Sequence, residues 1–437
     1  MRMSWARRAL LLLCTSTLAG IPARATPIAR PLAGHDEVTL RSLAGRVTPG
    51  EQLWARRFTS PDTRADAVLD VATSPDGTKV FVTGYVHVAG GTTDYATVAY
   101  DAPTGAQLWA ERYDGPINGV DGAFAVGVSP DGATVFVTGL SYGVSSGDDY
   151  ATVAYDASTG AQLWVSRYDG PANAIDDAYA LGVSPDGAKV FVTGWSDGVT
   201  SSFDYATVAY DASTGGELWV SRYNGPGNSS DEAYSLAVSP DSSRVLVTGW
   251  SIGSGTGTDY ATAAYDAATG SQQWARRYNS PRDENDMATA VGISPDATKV
   301  FVTGESAGSS GYPDYLTIAY RTSTGRQLWV HRYNGPADGT DHASALGVSP
   351  DGSMVFVTGW SYGGATDLDY ATIAYQASGG ATAWVRRYNG TGDFYDDARD
   401  LGVSPDGTVF VTGLSVGPTS GEDFATIAYR ASTGATV

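Results

Sequence analysis

Two sets of aspartates recur along the chain, and their type and spacing make them its best candidates for binding chemistry. The first set repeats every 55 residues and comprises Asp66, Asp121, Asp176, Asp231, Asp286, Asp341 and Asp396. Carboxylate oxygens bind hard cations such as Ca²⁺, and several repeats double the acid, as at Asp176 and Asp177. This set is therefore a candidate Ca²⁺ site. The alternative is that each aspartate caps a loop or pairs with an arginine.

The second set precedes an aromatic residue in every repeat and comprises Asp94, Asp149, Asp204, Asp259, Asp314, Asp369 and Asp423. One arginine per repeat accompanies it, at Arg57, Arg112, Arg167, Arg222, Arg277, Arg332 and Arg387. Folding the intervening turn brings an aspartate such as Asp94 beside the arginine of the same hairpin, Arg112. A charge pair present in every repeat is typical of a structural contact rather than a unique site.

Catalytic side chains are sparse. The four histidines, His35, His87, His331 and His342, form no closely spaced pair, although one long loop separates the last two. Glu305 stands where the other repeats place an apolar or aromatic residue and is a further, isolated candidate. No acid, base and nucleophile converge in a recognisable pattern. The sequence therefore favours a protein that is not an enzyme.

A repeat of 55 residues positions all of these side chains. The tripeptide Ser-Pro-Asp begins at Ser74, Ser129, Ser184, Ser239, Ser294, Ser349 and Ser404. A tryptophan recurs with the same spacing at Trp54, Trp109, Trp164, Trp219, Trp274, Trp329 and Trp384. Each repeat contains four strand-like runs, which in the third repeat are residues 178–184, 189–194, 205–210 and 218–223. Four short antiparallel strands repeated seven times predict an all-β, seven-bladed β-propeller.

The two ends of the repeat array predict how the ring closes. The array begins with an isolated fourth strand, Glu51–Phe58, and ends after a third strand, Phe424–Tyr429. Pairing between the two completes the seventh blade and removes free sheet edges. We therefore expect the N-terminal outer strand to pair with the C-terminal blade, in preference to an open solenoid.

The first 25 residues have the three parts of an export signal. Three arginines precede an apolar run, Ala9–Gly20, and an Ala-Arg-Ala cleavage site ends at Ala25. We expect a signal peptide over residues 1–25, a linker over 26–44 and the propeller over 45–437. The mature chain is expected to be secreted, periplasmic or at the cell surface, with no transmembrane segment. The only cysteine, Cys14, lies within the signal, so no disulfide or thiolate ligand is expected.

The chain is strongly acidic. It has 47 aspartates and glutamates against 27 lysines and arginines, a formal net charge of -20. This charge opposes binding to nucleic acid phosphates and anionic membranes. We expect a soluble monomer whose partner is not a nucleic acid.

The repeat resembles known propeller repeats. The unit DYATVAYDASTGAQLWVSRYDGP and its continuation through SPDGAKVFVTGWS resemble the SBBP-type bacterial β-propeller repeat, which implies a secreted or surface-associated protein. Within the unit, the pattern A-x-D-x-x-T-G-x-x-x-W ending at Trp164 resembles the tryptophan-docking motif of quinoprotein dehydrogenases. That resemblance implies eight blades, a vicinal cysteine pair and calcium ligands, whereas this sequence has seven repeats and one cysteine. We therefore interpret the motif as blade packing and expect no quinone cofactor.

Variation between repeats indicates where function lies. The turns SPDG and DASTG, on one predicted face, change little, whereas the loops on the opposite face vary, as in VHVAGGTT, SYGVSSGD and SIGSGTGT. Variable loops on a rigid scaffold are typical of binding surfaces. The sequence favours an exported, non-enzymatic propeller that binds a protein or a carbohydrate through this face. The alternative is a secreted polysaccharide lyase or hydrolase with acids at the channel mouth.

Overall fold

The computed structural model describes residues 53–59, 64, 66–88, 90–419 and 421–437. The predicted signal peptide, the linker, and Glu51 and Gln52 of the predicted closing strand lie outside this part of the chain. The described residues form strands, turns and loops, and none of them belongs to a helix that is long and apolar enough to cross a membrane.

Seven antiparallel sheets follow one another along the chain as blades 1 to 7. Blade 1 contains β1 (Ala67–Thr73), β2 (Lys79–His87), β3 (Thr93–Asp101) and β4 (Gln107–Tyr113). Blade 2 contains β5 (Asp121–Val128), β6 (Thr134–Tyr142), β7 (Asp148–Asp156) and β8 (Gln162–Tyr168). Blade 3 contains β9 (Asp176–Val183), β10 (Lys189–Asp197), β11 (Phe203–Asp211) and β12 (Glu217–Tyr223).

The later blades repeat this order. Blade 4 contains β13 (Asp231–Val238), β14 (Arg244–Ile252), β15 (Thr258–Asp266) and β16 (Gln272–Tyr278). Blade 5 contains β17 (Asp286–Ile293), β18 (Lys299–Ala307), β19 (Pro313–Arg321) and β20 (Gln327–Tyr333). Blade 6 contains β21 (Asp341–Val348), β22 (Met354–Tyr362), β23 (Leu368–Gln376) and β24 (Thr382–Tyr388). Blade 7 contains β25 (Asp396–Val403), β26 (Thr408–Gly417) and β27 (Gly421–Arg430). The predicted seven-bladed β-propeller is thus confirmed.

The two middle strands of each blade carry the core. In blade 3, β10 (KVFVTGWSD) and β11 (FDYATVAYD) are buried along almost their whole length. They pair in register from Lys189 opposite Asp211 to Asp197 opposite Phe203. Their valines, threonines and aromatic residues fit a pleated surface that is covered on both sides. The neighbouring blades provide that cover.

The tryptophan of each fourth strand joins one blade to the next. The Trp164 indole Nε1 donates to the carbonyl of Ala212 in blade 3 at 3.0 Å. Its ring lies over Gly215, where an added Cβ would be 2.6 Å from Trp164 Cδ2. The same bond to the next blade is made by Trp54, Trp109, Trp219, Trp274, Trp329 and Trp384. The packing interpretation of the docking motif is therefore confirmed.

Six hydrophobic clusters fill the junctions from blades 1 and 2 to blades 6 and 7. Among the described residues, no such cluster joins blade 7 to blade 1. Phe424 is 98% exposed, although its counterpart in blade 6, Tyr370, is fully buried, and Val68 of β1 is 68% exposed. A Cβ at Gly402 would meet nothing within 4 Å, whereas one at Gly347 would lie 2.6 Å from Leu401 Cδ1. The ring therefore has a seam between its first and last blades.

The predicted closing strand reaches the seam but is not among the strand pairings of the described residues. Blade 7 has three named strands, and residues 53–59 form none. Beyond β27 the chain turns back, and the Val437 amide donates to the Ala428 carbonyl at 3.0 Å. The N-terminal segment also contacts blade 1, where Arg56 Nε donates to the Gly105 carbonyl at 2.7 Å. The fourth strands of blades 4 and 6 make the same bond to the blade that follows them, through Arg276 and Arg386. The described part of this segment therefore has the blade-to-blade contact of a fourth strand but no ladder to β27.

Candidate functional site

Every innermost strand contains a β-bulge at the same position. In β9, Ala178 pairs with Gly194 and Ala180 with Thr193, so Tyr179 has no partner in the ladder. The same register shift occurs in the other six innermost strands. The bulged residues are Leu69, Phe124, Tyr179, Tyr234, Thr289, Ser344 and Arg399. A bulge re-aims one side chain without changing the rest of the sheet.

The glycine of each Val-Thr-Gly sequence makes room for this bulge. A Cβ at Gly194 would overlap the carbonyl oxygen of Asp177, the residue before Ala178. The equivalent glycines, Gly84, Gly139, Gly249, Gly304, Gly359 and Gly413, face the same carbonyl in their own blades. Any larger residue therefore conflicts with the bulged strand.

The bulges lie towards the face with the variable loops. Each innermost strand begins at this face, where the loop after the fourth strand ends, and each second strand finishes there. The residue two positions before the bulged residue also lies at this end of the blade, and so does its partner on the second strand. In blade 3 these two residues are Asp177 and Trp195. We call the bulged residues and these two flanking positions, over all blades, the inner rim.

Blades 2 to 4 give the inner rim an aromatic side. The rings of Phe124 and Tyr179 stack with centroids 5.1 Å apart and an interplanar angle of 21°. Tyr179 and Tyr234 meet edge to face at 5.9 Å and 86°. Trp195 lies 6.4 Å from Tyr179 and packs against Phe203 at 4.2 Å. Adjacent bulged side chains therefore contact one another across blades.

A hydrogen-bonded chain runs through blade 4 on this aromatic side. Trp250 Nε1 donates to the Tyr234 hydroxyl at 2.8 Å, and that hydroxyl donates to Glu232 Oε2 at 2.6 Å. Burial raises the pKa of Glu232, and the Tyr234 hydrogen bond opposes that rise. Burial and the adjacent Glu232 raise the pKa of Tyr234 well above its usual value. The tyrosine is thus a fixed donor to a partly buried carboxylate.

Blades 5 to 7 give the inner rim an ionic side. His342 Nδ1 lies 2.8 Å from Glu305 Oε2, and the imidazole stacks on Trp360 at 5.5 Å and 18°. Burial lowers the pKa of His342, but the Glu305 charge and hydrogen bond outweigh it, so that pKa is raised. In blade 7, Arg399 Nε donates to Asp397 Oδ2 at 3.0 Å. Acids on this side are matched by cations.

The structure unites two sequence candidates and separates two others. Glu305 and His342, which the sequence offered separately, form one pair across blades 5 and 6. His331 and His342 do not meet as a site, because the His331 ring packs on Trp329 in the fourth strand of blade 5 at 5.7 Å. His87 lies at the end of β2, and His35 is outside the described residues.

The first set of aspartates lies inside the blades. Asp121, Asp176, Asp231, Asp286, Asp341 and Asp396 are fully buried, and Asp66 is partly buried. In blade 3, Asp176 Oδ2 accepts from the Gly170 amide at 2.7 Å, and blades 2 and 4 to 7 repeat this bond. Each of these six aspartates therefore fixes the loop that precedes its own strand, which is one of the two roles expected for the set.

The second set of aspartates forms the predicted ion pairs in blades 1 to 6. Arg167 contacts Asp149 at 2.8 Å, and its guanidinium also donates to the Ser141 carbonyl and hydroxyl and to the Tyr113 hydroxyl of blade 1. The other pairs are Arg112–Asp94, Arg222–Asp204, Arg277–Asp259, Arg332–Asp314 and Arg387–Asp369. A structural role is confirmed in these blades, and the arginines of blades 2 to 6 also donate to the serine at the end of the second strand.

Three aspartates lie close together at each of two blade junctions, between blades 1 and 2 and between blades 2 and 3. Carboxylate oxygens of Asp149, Asp169 and Asp176 lie within 4.8 Å of one another, as do those of Asp94, Asp114 and Asp121. Burial raises the pKa of Asp176 to about 6, and the charges of Asp169 and Asp149 add to the rise against hydrogen bonds from Ser196 and Gly170. Four later repeats have Asn224, Asn279, Asn334 and Asn389 at the position of Asp169. Within the described part of the chain, such groups of three acids therefore occur at these two junctions alone.

The fold and the inner rim define a propeller that presents a ring of varied side chains on a uniform scaffold. The family model described as outer membrane protein assembly factor BamB (PQQ_2) matches residues 41–200 and 180–437. The chain therefore belongs to this family, whose fold suggests a protein-binding scaffold and whose name associates it with the outer membrane. The family does not confirm the narrower resemblance to SBBP repeats, which stays a prediction.

Several solved structures share the fold at low sequence identity. Chaetomium thermophilum Sqt1, bound to the N-terminus of ribosomal protein L10, has a TM-score of 0.58 at 14% identity over 85% of this chain and 86% of that one. Kuenenia stuttgartiensis hydrazine synthase has a TM-score of 0.56 at 13% identity over 86% of this chain and 99% of that one. No curated protein matches the chain.

The residues of the inner rim do not fit a quinone cofactor. Pyrroloquinoline quinone is a tricarboxylate and needs cations or donors around it. In the described rim, Arg399 is already bound to Asp397 and His342 to Glu305, while Glu232 would repel a carboxylate. The docking tryptophans from Trp109 to Trp384 are buried between blades. The tryptophan-docking motif therefore packs one blade against the next.

Proposed function

We propose that this chain is an exported, monomeric β-propeller that binds a protein partner through its variable-loop face, with the inner rim at the centre of the contact. The observation that carries this proposal is the set of seven bulges, which present apolar, aromatic, hydroxyl and charged side chains at one position of otherwise repeated strands. Membership of a family whose fold suggests protein binding supports it. A polysaccharide lyase or hydrolase is not favoured by that family.

Site-specific photocrosslinking tests which face binds. A benzophenone amino acid at Val144, Val199 or Tyr312, which are exposed on the variable loops, should yield one common adduct with proteins of the compartment that contains the chain. The same probe at Thr214, in a short turn on the opposite face, is the matched control and should yield none. Adducts of equal yield from both faces would contradict the proposal. If the chain binds to a glycan array and gives no protein adduct, the partner is a carbohydrate and not a protein.

We also propose that Ca²⁺ binds at the two groups of three acids. Asp149 Oδ1 is buried and has no hydrogen-bond partner among the described residues, and Asp169 is exposed to incoming ions. Oxygen atoms at this separation suit Ca²⁺, which binds oxygen at about 2.3–2.6 Å. The proposal replaces a single ring of seven aspartates by two local sites, each of which would stabilise one blade junction.

We expect millimolar Ca²⁺ to raise the melting temperature by about 2–4 °C, because binding to the folded state stabilises it by mass action. Asp169→Asn should reduce that rise, and the double variant Asp114→Asn with Asp169→Asn should abolish it. Asparagine at this position is compatible with the fold, since Asn224 and Asn279 occupy it in other repeats. Differential scanning calorimetry with Ca²⁺ and with chelator measures the effect. Identical melting curves would contradict Ca²⁺ binding.

A further inference from the structure

Glu232 differs from the other glutamate of the inner rim in its contacts. Its carboxylate accepts a hydrogen bond from a neutral donor, the Tyr234 hydroxyl at 2.6 Å. Glu305, by contrast, lies against His342. Among the described residues no arginine, lysine or histidine forms an ion pair with Glu232. A carboxylate out of full contact with water is costly unless it is paired. The Glu232 carboxylate therefore lacks a positively charged partner among the described residues.

The surfaces beside Glu232 are aromatic and partly exposed. Tyr234 and Tyr179, bulged out of adjacent innermost strands, meet edge to face, and Phe124 stacks on Tyr179. The face of an aromatic ring attracts organic cations, and guanidinium groups also stack on it. A metal ion gains little from such rings and prefers several oxygen ligands. The combination favours an organic cation.

We propose that Glu232, Tyr179 and Tyr234 form a binding site for one arginine side chain of a partner polypeptide. The guanidinium pairs with the Glu232 carboxylate and lies against the tyrosine rings, while Trp250 holds Tyr234 in place through its hydroxyl. The planar, forked guanidinium can donate two parallel bonds to a carboxylate, which a lysine ammonium cannot. This inference rests on the proposed function and names the chemistry of the partner at its centre.

Two peptides that differ in one charge test the site. Isothermal titration of the full mature chain would compare the acetylated, amidated pentapeptide Gly-Ser-Arg-Ser-Gly with its counterpart containing citrulline, the neutral analogue of arginine. We expect the arginine peptide to bind at least about tenfold more tightly, because a charge-assisted pair and a cation–π contact are lost with citrulline. A higher salt concentration should reduce the difference in affinity between the two peptides, because salt screens the charge pair.

Two variants and one control locate the effect. Glu232→Gln keeps the shape and a hydrogen-bond acceptor, and it should remove most of the preference for the arginine peptide, leaving only the part that the tyrosine rings contribute. Tyr179→Leu should weaken arginine binding several-fold without changing citrulline binding. Glu217→Gln, which removes an exposed acid at the start of β12, should change neither. Melting temperatures confirm that each variant is folded.

The outcomes separate this inference from the proposed function. Equal affinity of the two peptides, no binding of either, or an arginine preference that is undiminished in Glu232→Gln each overturns the inference. The crosslinking comparison uses no cationic probe, so its result decides the proposed function independently. Adducts confined to the variable loops together with equal peptide affinities would leave a binding face whose centre does not recognise arginine.

Discussion

Gly194→Ala should lower the free energy of unfolding by about 3 kcal/mol or more, which is among the larger effects of single substitutions. The new methyl group would overlap the Asp177 carbonyl oxygen, which is backbone and cannot rotate away. Relief requires the bulge at Tyr179 to shift or the ladder between β9 and β10 to open. Since neighbouring blades pack on this pair of strands, the damage extends beyond one strand.

Urea denaturation followed by tryptophan fluorescence measures this loss. Gly379→Ala is the matched control, because a Cβ there meets nothing within 4 Å and the residue has no positive φ. That control should be neutral or slightly stabilising, as expected where alanine restricts the unfolded chain. If Gly194→Ala unfolds at the same urea concentration as Gly379→Ala, the bulge is not part of the structure in solution.

Trp219→Ala should cost about 3–5 kcal/mol, the usual range for removing a large buried aromatic side chain. It removes a ring packed between Phe191 and Tyr265 together with a 3.2 Å hydrogen bond to the Ala267 carbonyl. Trp54→Ala removes the corresponding hydrogen bond to blade 1 at the seam, where the surroundings are more exposed. We expect its cost to be smaller, about half as large.

Denaturation of both variants under identical conditions gives the comparison. A pair of glycines provides a second measure of the seam. Gly347→Ala should destabilise the protein because its methyl group meets Leu401, whereas Gly402→Ala should be tolerated because the same position in blade 7 is open. The seam is contradicted if Trp54→Ala lowers the free energy of unfolding as much as Trp219→Ala does, and Gly402→Ala as much as Gly347→Ala.

The fold was predictable because one pattern is repeated seven times. Spacing alone placed the turns at Ser184 and the docking residue Trp164, and a single repeat sufficed to predict four strands. Closure was predicted less well. The sequence shows that Glu51–Phe58 resembles a fourth strand, but whether it forms a ladder with β27 depends on contacts between chain ends that are distant in sequence.

The candidate site was largely hidden from the sequence. A bulge adds one residue to a strand, so Tyr179 reads as part of the alternation in AYALGVS. The available signal was the glycine of each Val-Thr-Gly, which interrupts an otherwise β-branched strand and often marks a bulge. The pair of Glu305 and His342 was equally hidden, because its members are 37 residues apart and lie in different blades. The enclosure of Asp176 was hidden too, because it depends on the Gly170 amide, which holds the carboxylate inside the blade and lies in a loop whose path the sequence does not predict.

The bulges also bear on how such a ring changes over time. A bulged side chain takes no part in the pairing register, and in blades 2 to 7 the alanine before it, such as Ala178, is buried and carries the packing. Exchange of the bulged residue therefore alters the surface of the inner rim while leaving the strand register and this packing unchanged. A gene that lengthens by duplicating a 55-residue unit would gain, with each copy, one position free to diversify. Within one repeat, the residues that stabilise the blade are therefore different from the residue that is free to vary on the inner rim.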